Sequence, residues 1–138
     1  MLHKNMSEII LFIGLPGSGK THVSGRMCSE IFDDIIDLDL LPQQIEVDSI
    51  LGICDVNFCD DKILSNAVAF FKDKYPHSRV KKHYFENAPD KCRANVVHRN
   101  DGRNVEGTIK RFEKIYNPPQ GFHEVWGHVK GKEDKKGD

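Results

Sequence analysis

The chain predicts an α/β fold with a mostly parallel sheet, and three observations carry that expectation. Apolar runs alternate with amphipathic stretches along the whole chain, the pattern of strand–helix–strand units with right-handed crossovers. The first run, residues 9–13, is wholly apolar, as a strand covered on both faces must be. It leads into a glycine-punctuated turn, residues 14–19, and then a helical stretch. At 138 residues the chain suits one domain able to bury about two-thirds of its unfolded surface.

In order, residues 9–13 predict the first strand and 20–31 a helix, with Val23, Met27 and Ile31 four apart on one face. Residues 34–38 predict a short second strand, and 40–48 a connection with a turn interrupted near Pro42. Residues 50–55 predict a third strand ending in Asp55. Residues 60–75 predict a helix with Ile63, Leu64, Ala67, Val68 and Phe71 on one stripe, closed by Pro76. Residues 79–85 predict a fourth strand. Helices over 89–98 and 105–116 flank 100–104, and Pro118-Pro119 stops the second. Residues 122–129 predict a fifth strand, with Phe122 and Trp126 at strand spacing suited to the core rather than to a base-stacking platform. Residues 130–138 read as a charged, disordered tail. The domain thus spans 1–129, with residues from about 89 to 116 forming a small helical lid.

The chemistry is concentrated in Gly14-Leu15-Pro16-Gly17-Ser18-Gly19-Lys20-Thr21, with His22 next. Glycines at these spacings let successive backbone N–H groups converge on an anion, and the following helix adds its positive end. Lys20 has the reach for β- and γ-phosphates, and the Thr21 hydroxyl suits Mg²⁺. In open parallel sheets ligands bind beyond the carboxyl ends of the strands. Asp37, Asp39 and Asp55 all fall at those ends. Asp55 suits the Mg²⁺ shell or the positioning of an acceptor; a turn cap is its plain alternative. Asp39, then Asp37, are the candidates to orient an acceptor hydroxyl and take its proton. The fold expected around such a loop is a P-loop NTPase-type three-layer sandwich with five strands.

Three arginines follow the fourth strand. Phosphoryl transfer spreads charge over the equatorial oxygens, which guanidinium groups suit. Arg99 and Arg103 are the candidate lid cations. Arg93, six residues before Arg99, falls on the opposite side of a helix and is more plainly a surface residue. Net charge is −1, but residues 1–68 carry −7 and residues 69–138 carry +6, so either the second half faces phosphates of ATP or nucleic acid or the two halves neutralise each other across the fold. Lys72, Lys74, Arg79, Lys81, Lys82, Lys110, Arg111 and Lys114 supply that charge. Four cysteines without metal-like spacing predict reduced thiols. No apolar run approaches the roughly 18 residues of a membrane span, and residues 1–6 show no signal-peptide pattern, so a cytoplasmic protein is expected.

These residues resemble the kinase domain of the 5′-OH polynucleotide kinases, especially the phage-type enzyme, over roughly residues 9–116. The likeness lies in the loop at 14–21, in the third strand running into Asp55-Val56-Asn57-Phe58, in the helix ending Phe71-Lys72-Asp73-Lys74-Tyr75, and in a lid bearing Arg99. The resemblance implies Mg²⁺-ATP as donor and a terminal sugar hydroxyl of DNA or RNA as acceptor. It implies Lys20 and Thr21 on phosphate and Mg²⁺, Asp39 as base, and Arg99 as lid arginine. The family usually has an arginine three residues after its base; here position 42 is Pro42, and the segment between the second and third strands is short. Alternatives are phosphorylation of a nucleoside, of a hydroxymethylated base or of another small molecule, and an ATP-binding or ATPase module acting through a partner.

Overall fold

The computed structural model describes residues 6–33, 40–99 and 105–126. Four strands form one all-parallel sheet: β1 (Glu8–Ile13), β2 (Glu30–Asp33), β3 (Ile50–Cys54) and β4 (Arg79–Tyr84), in the order β2-β3-β1-β4. The helices are α1 (Lys20–Met27), α2 (Asp61–Lys74), α3 (Pro89–Arg99) and α4 (Glu106–Glu113), with a 3-10 turn at Val56–Cys59. Among the described residues no helix is long and apolar enough to cross a membrane.

β1 is the centre. Ile9 through Ile13 are all buried, and β1 pairs with β3 on one side (Phe12 opposite Cys54) and β4 on the other (Ile13 opposite Tyr84). Such a strand has no polar face, which explains its unbroken apolar run. β4 is more exposed and more cationic; Lys81 and Arg79 pair with Glu8 at 3.1 and 3.8 Å. α2 starts where the Asp60 carboxylate accepts from the N–H groups of Lys62 and Ile63. It buries Leu64 and Phe71, with Ile63, Ala67 and Val68 packed beside them, as the stripe predicts. The buried Tyr116 hydroxyl donates to the carbonyl of Ile13, at 3.0 Å, and to that of Phe85. Asn87 Nδ2 donates to the carbonyls of Glu113 and Tyr116. These bonds fasten the end of α4 to the carboxyl edge of the sheet.

Several boundaries differ from expectation. α1 stops at Met27, and Cys28 is already extended. Ile31 belongs to β2, opposite Gly52, and Met27 is exposed. A spacing of four fitted a helix through residue 31, but strand pairing takes residues 30–33. The expected strand at 34–38 lies outside the described residues. The expected fifth strand is reduced, in its described part, to one parallel bridge between Phe85 and His123. Pro118, Pro119 and Gly121, at φ 91°, bend the chain just before it. Within that segment Val125 is buried, whereas Trp126 is 76% exposed and Phe122 also faces solvent. The expectation that Phe122 and Trp126 are core residues is therefore corrected: Val125 takes the inward place.

Candidate phosphate-binding site

The loop at 14–19 leaves the carboxyl end of β1 and enters α1. Gly17 and Gly19 have φ values of 86° and 101°, the left-handed region where a side chain is strained. The Ser18 N–H donates to the Leu15 carbonyl at 3.1 Å, closing the turn, and Gly19 accepts the first helical bond from Val23. Leu15 is fully buried, Pro16 half-buried. Ser18 is buried too, and its Oγ has no hydrogen-bond partner among the described residues. A buried hydroxyl without a partner inside a loop that carries two left-handed glycines fits an anion.

Lys20 folds back across this loop. Its Nζ donates to the carbonyls of Gly14 at 2.8 Å and Leu15 at 3.0 Å. Burial lowers its pKa, with Asp55 among the groups that oppose the shift. Thr21 and His22 are exposed on the first turn of α1. Asp55, at the end of β3, is only 2% exposed. Its carboxylate accepts from the backbone N–H and side-chain Nδ2 of Asn57, at 2.8 and 2.9 Å, capping the 3-10 turn. The cap and the site position therefore coincide in one residue. Because Cys54 lies opposite Phe12, Asp55 stands beside the start of the loop.

Hard oxygens at Asp55 and Thr21 suit Mg²⁺, which usually takes one or two protein ligands and completes its shell with phosphates and water. Among the described residues there is no group of three or more His, Cys, Asp or Glu able to hold a metal alone. Burial pushes the thiols of Cys59 and Cys92 up to about 12 and about 11, so both stay protonated at neutral pH.

α3 packs directly on the loop. A Cβ added at Gly17 would lie 2.4 Å from the Cys92 carbonyl oxygen and 3.0 Å from Val96 Cγ2. Asn95 Nδ2 donates to the Gly17 carbonyl at 2.8 Å and the Trp126 carbonyl at 3.0 Å. One side-chain amide thus joins the loop, α3 and the segment after α4. Arg99, exposed at the end of α3, is four residues beyond Asn95 and so on the same helical face. Arg93 points elsewhere: it meets Glu106 at 2.8 Å, Glu113 at 2.9 Å and Asp90 at 3.2 Å, tying α3 to α4.

The structure therefore brings Gly14, Leu15, Pro16, Gly17, Ser18, Gly19, Lys20, Thr21 and Asp55 to one edge of the sheet and puts Arg99 on the helix above. Asp37, Asp39 and Arg103 lie outside the described residues. Asn95 was missed in the sequence. Its one signal there is a residue that favours turns and caps standing in mid-helix, one turn before Arg99.

No protein-family model matches the chain. It is 32% identical over 108 residues to "Uncharacterized protein R277" of Acanthamoeba polyphaga mimivirus, a match covering 70% of this chain and 75% of that protein. At that identity and coverage, the chain belongs to the same family as the mimivirus protein.

Proposed function

We propose that the chain is an ATP-dependent kinase that transfers a γ-phosphoryl group to a hydroxyl, with the 5′-OH end of DNA or RNA as the favoured acceptor. The observation that carries this is the loop itself: left-handed Gly17 and Gly19, an unpartnered buried Ser18 Oγ and an inward Lys20, with α3 packed against Gly17. An anion entering the loop offers Lys20 a stronger partner than the two carbonyls it now holds. Arg99 is the cation for the transferring group's equatorial oxygens. Thr21 and Asp55 would hold Mg²⁺, which when bound neutralises charge on the β- and γ-phosphates. Asp39, or Asp37, takes the proton of the acceptor hydroxyl. α3 lies over the loop, which favours exclusion of water and transfer over hydrolysis.

Lys72, Lys74, Lys82 and Lys110 are cations that suit a phosphate backbone, whereas Arg79 and Lys81 share Glu8. Pro42, standing where the kinases it resembles carry an acceptor-side arginine, favours a second acceptor class: a nucleoside or a base hydroxyl.

The test is transfer of labelled γ-phosphate from ATP and Mg²⁺, with 5′-OH DNA, 5′-OH RNA, nucleosides and water alone as parallel acceptors. Label on an oligonucleotide end, absent with Lys20→Ala, is the expected result. Phosphate release that no acceptor changes would overturn the kinase assignment.

A further inference from the structure

The chain's single tryptophan is 76% exposed, yet the backbone beneath it is firmly held. The His123 N–H donates to Tyr84 O at 2.8 Å, and the Glu86 N–H to His123 O at 2.9 Å. The Val125 N–H donates to Glu86 Oε1 at 3.0 Å, and Val125 is buried. The Trp126 carbonyl then accepts from Asn95, whose same nitrogen holds the Gly17 carbonyl. A large ring thus stands on an anchored segment, one shared amide away from the phosphate-binding loop, beyond the carboxyl edge of the sheet. Scattered exposed hydrophobic residues need no explanation. This one differs because its main chain is fixed to the loop through Asn95 while the residue remains 76% exposed.

We propose that Trp126 is the stacking surface for the base of the donor nucleotide. This rests on the phosphate-binding assignment of the loop and goes beyond it, by giving the nucleoside half of the ligand a residue. Every nucleobase has a π-face, so an exposed indole attracts a base with little regard to its identity. Asn95 makes the two halves of the site one unit: it sets the distance between the loop that holds phosphates and the ring that holds the base. Trp126 therefore contributes affinity for nucleotides and none for bare polyphosphate.

Because Trp126 is the sole tryptophan, its emission reports on the subsite directly. The experiment titrates the protein with Mg²⁺-ATP and, separately, with inorganic tripolyphosphate, following fluorescence and measuring both dissociation constants by calorimetry. ATP is expected to quench the emission and tripolyphosphate to leave it unchanged. Trp126→Ala is expected to weaken ATP by about 5- to 150-fold, the span that base–aromatic stacking supplies, without altering tripolyphosphate binding. Trp126→Phe should recover most of the loss, and the exposed position should leave the melting temperature of both variants near wild type. Equal ATP affinity in Trp126→Ala, or ATP bound calorimetrically with unchanged emission, overturns the inference and leaves the loop assignment standing. Quenching by an oligonucleotide but not by ATP also overturns it, since the ring would then serve the acceptor. If neither ligand binds the wild-type protein, the loop assignment falls and the inference with it.

Discussion

Three alanine substitutions at glycines separate backbone strain from packing at the loop. Gly17 and Gly19 share a left-handed backbone, so alanine costs about 1–2 kcal/mol at either from conformation alone. Their surroundings differ. A Cβ at Gly19 meets only Phe85 Cε2 at 4.0 Å, ordinary contact. A Cβ at Gly17 would sit 2.4 Å from the Cys92 carbonyl oxygen, about 1 Å inside a normal carbon–oxygen approach. That oxygen belongs to the backbone of α3, so the helix itself must yield, which adds about 1–3 kcal/mol. Gly17→Ala should therefore cost about 2–5 kcal/mol and Gly19→Ala about 1–2. Gly107→Ala, where nothing lies within 4 Å, should be neutral or gain up to about 1 kcal/mol. Denaturant unfolding of the three variants measures the order, and each kcal/mol also moves the thermal midpoint by about 3–5 °C in a domain of this size. If Gly17→Ala proves no worse than Gly19→Ala, α3 does not press on the loop, and the site geometry described above is wrong.

Lys20→Met should raise the stability of the nucleotide-free protein while removing nucleotide binding, because burial lowers the lysine's pKa and so penalises its cation; a lower melting temperature would contradict this. Arg99→Ala should reduce kcat far more than it raises KM for ATP if the arginine acts on the transferring group, and full activity would remove it from the mechanism. Tyr116→Phe should cost about 1–2 kcal/mol in denaturant unfolding, since the carbonyls of Ile13 and Phe85 lose a buried donor. His83 lies among Phe12, Phe85 and His123, and burial, with His123, lowers its pKa. The unfolded chain therefore takes up a proton, as pH falls through about 6.5, that the folded chain refuses, so stability should fall there. His83→Phe should flatten that slope, and an unchanged slope would refute the assignment.

What the sequence discloses is largely local. β1, the loop and α2 are readable because each signal lies within its own segment: an unbroken apolar run, glycine spacing, and an Asp60 cap ahead of a 3.6-residue stripe. The α1–β2 boundary was not, because Ile31 satisfies both a helical stripe and a strand, and only pairing with Gly52 decides between them. The outward Trp126 and inward Val125 were hidden for the same reason: one bridge at His123 sets their alternation. Arg93 could be set apart from Arg99 by helical angle alone, but its three acidic partners could not be named, two of them lying on α4. Asn95 is the hardest case, since its meaning depends on two carbonyls far away in the chain.

That same amide orders the birth of the site in time. The loop precedes its holder along the chain: Asn95 follows Gly17 by 78 residues and Trp126 comes 31 later still. A nascent chain therefore carries the glycine loop without its holder until α3 and Trp126 have been made. Closing so long a span costs entropy that only the assembled sheet and its packed helices can offset. Competence to grip a ligand should consequently wait for α3 and for the segment that holds Trp126, making nucleotide capture a marker of a chain folded through all three rather than of the loop alone.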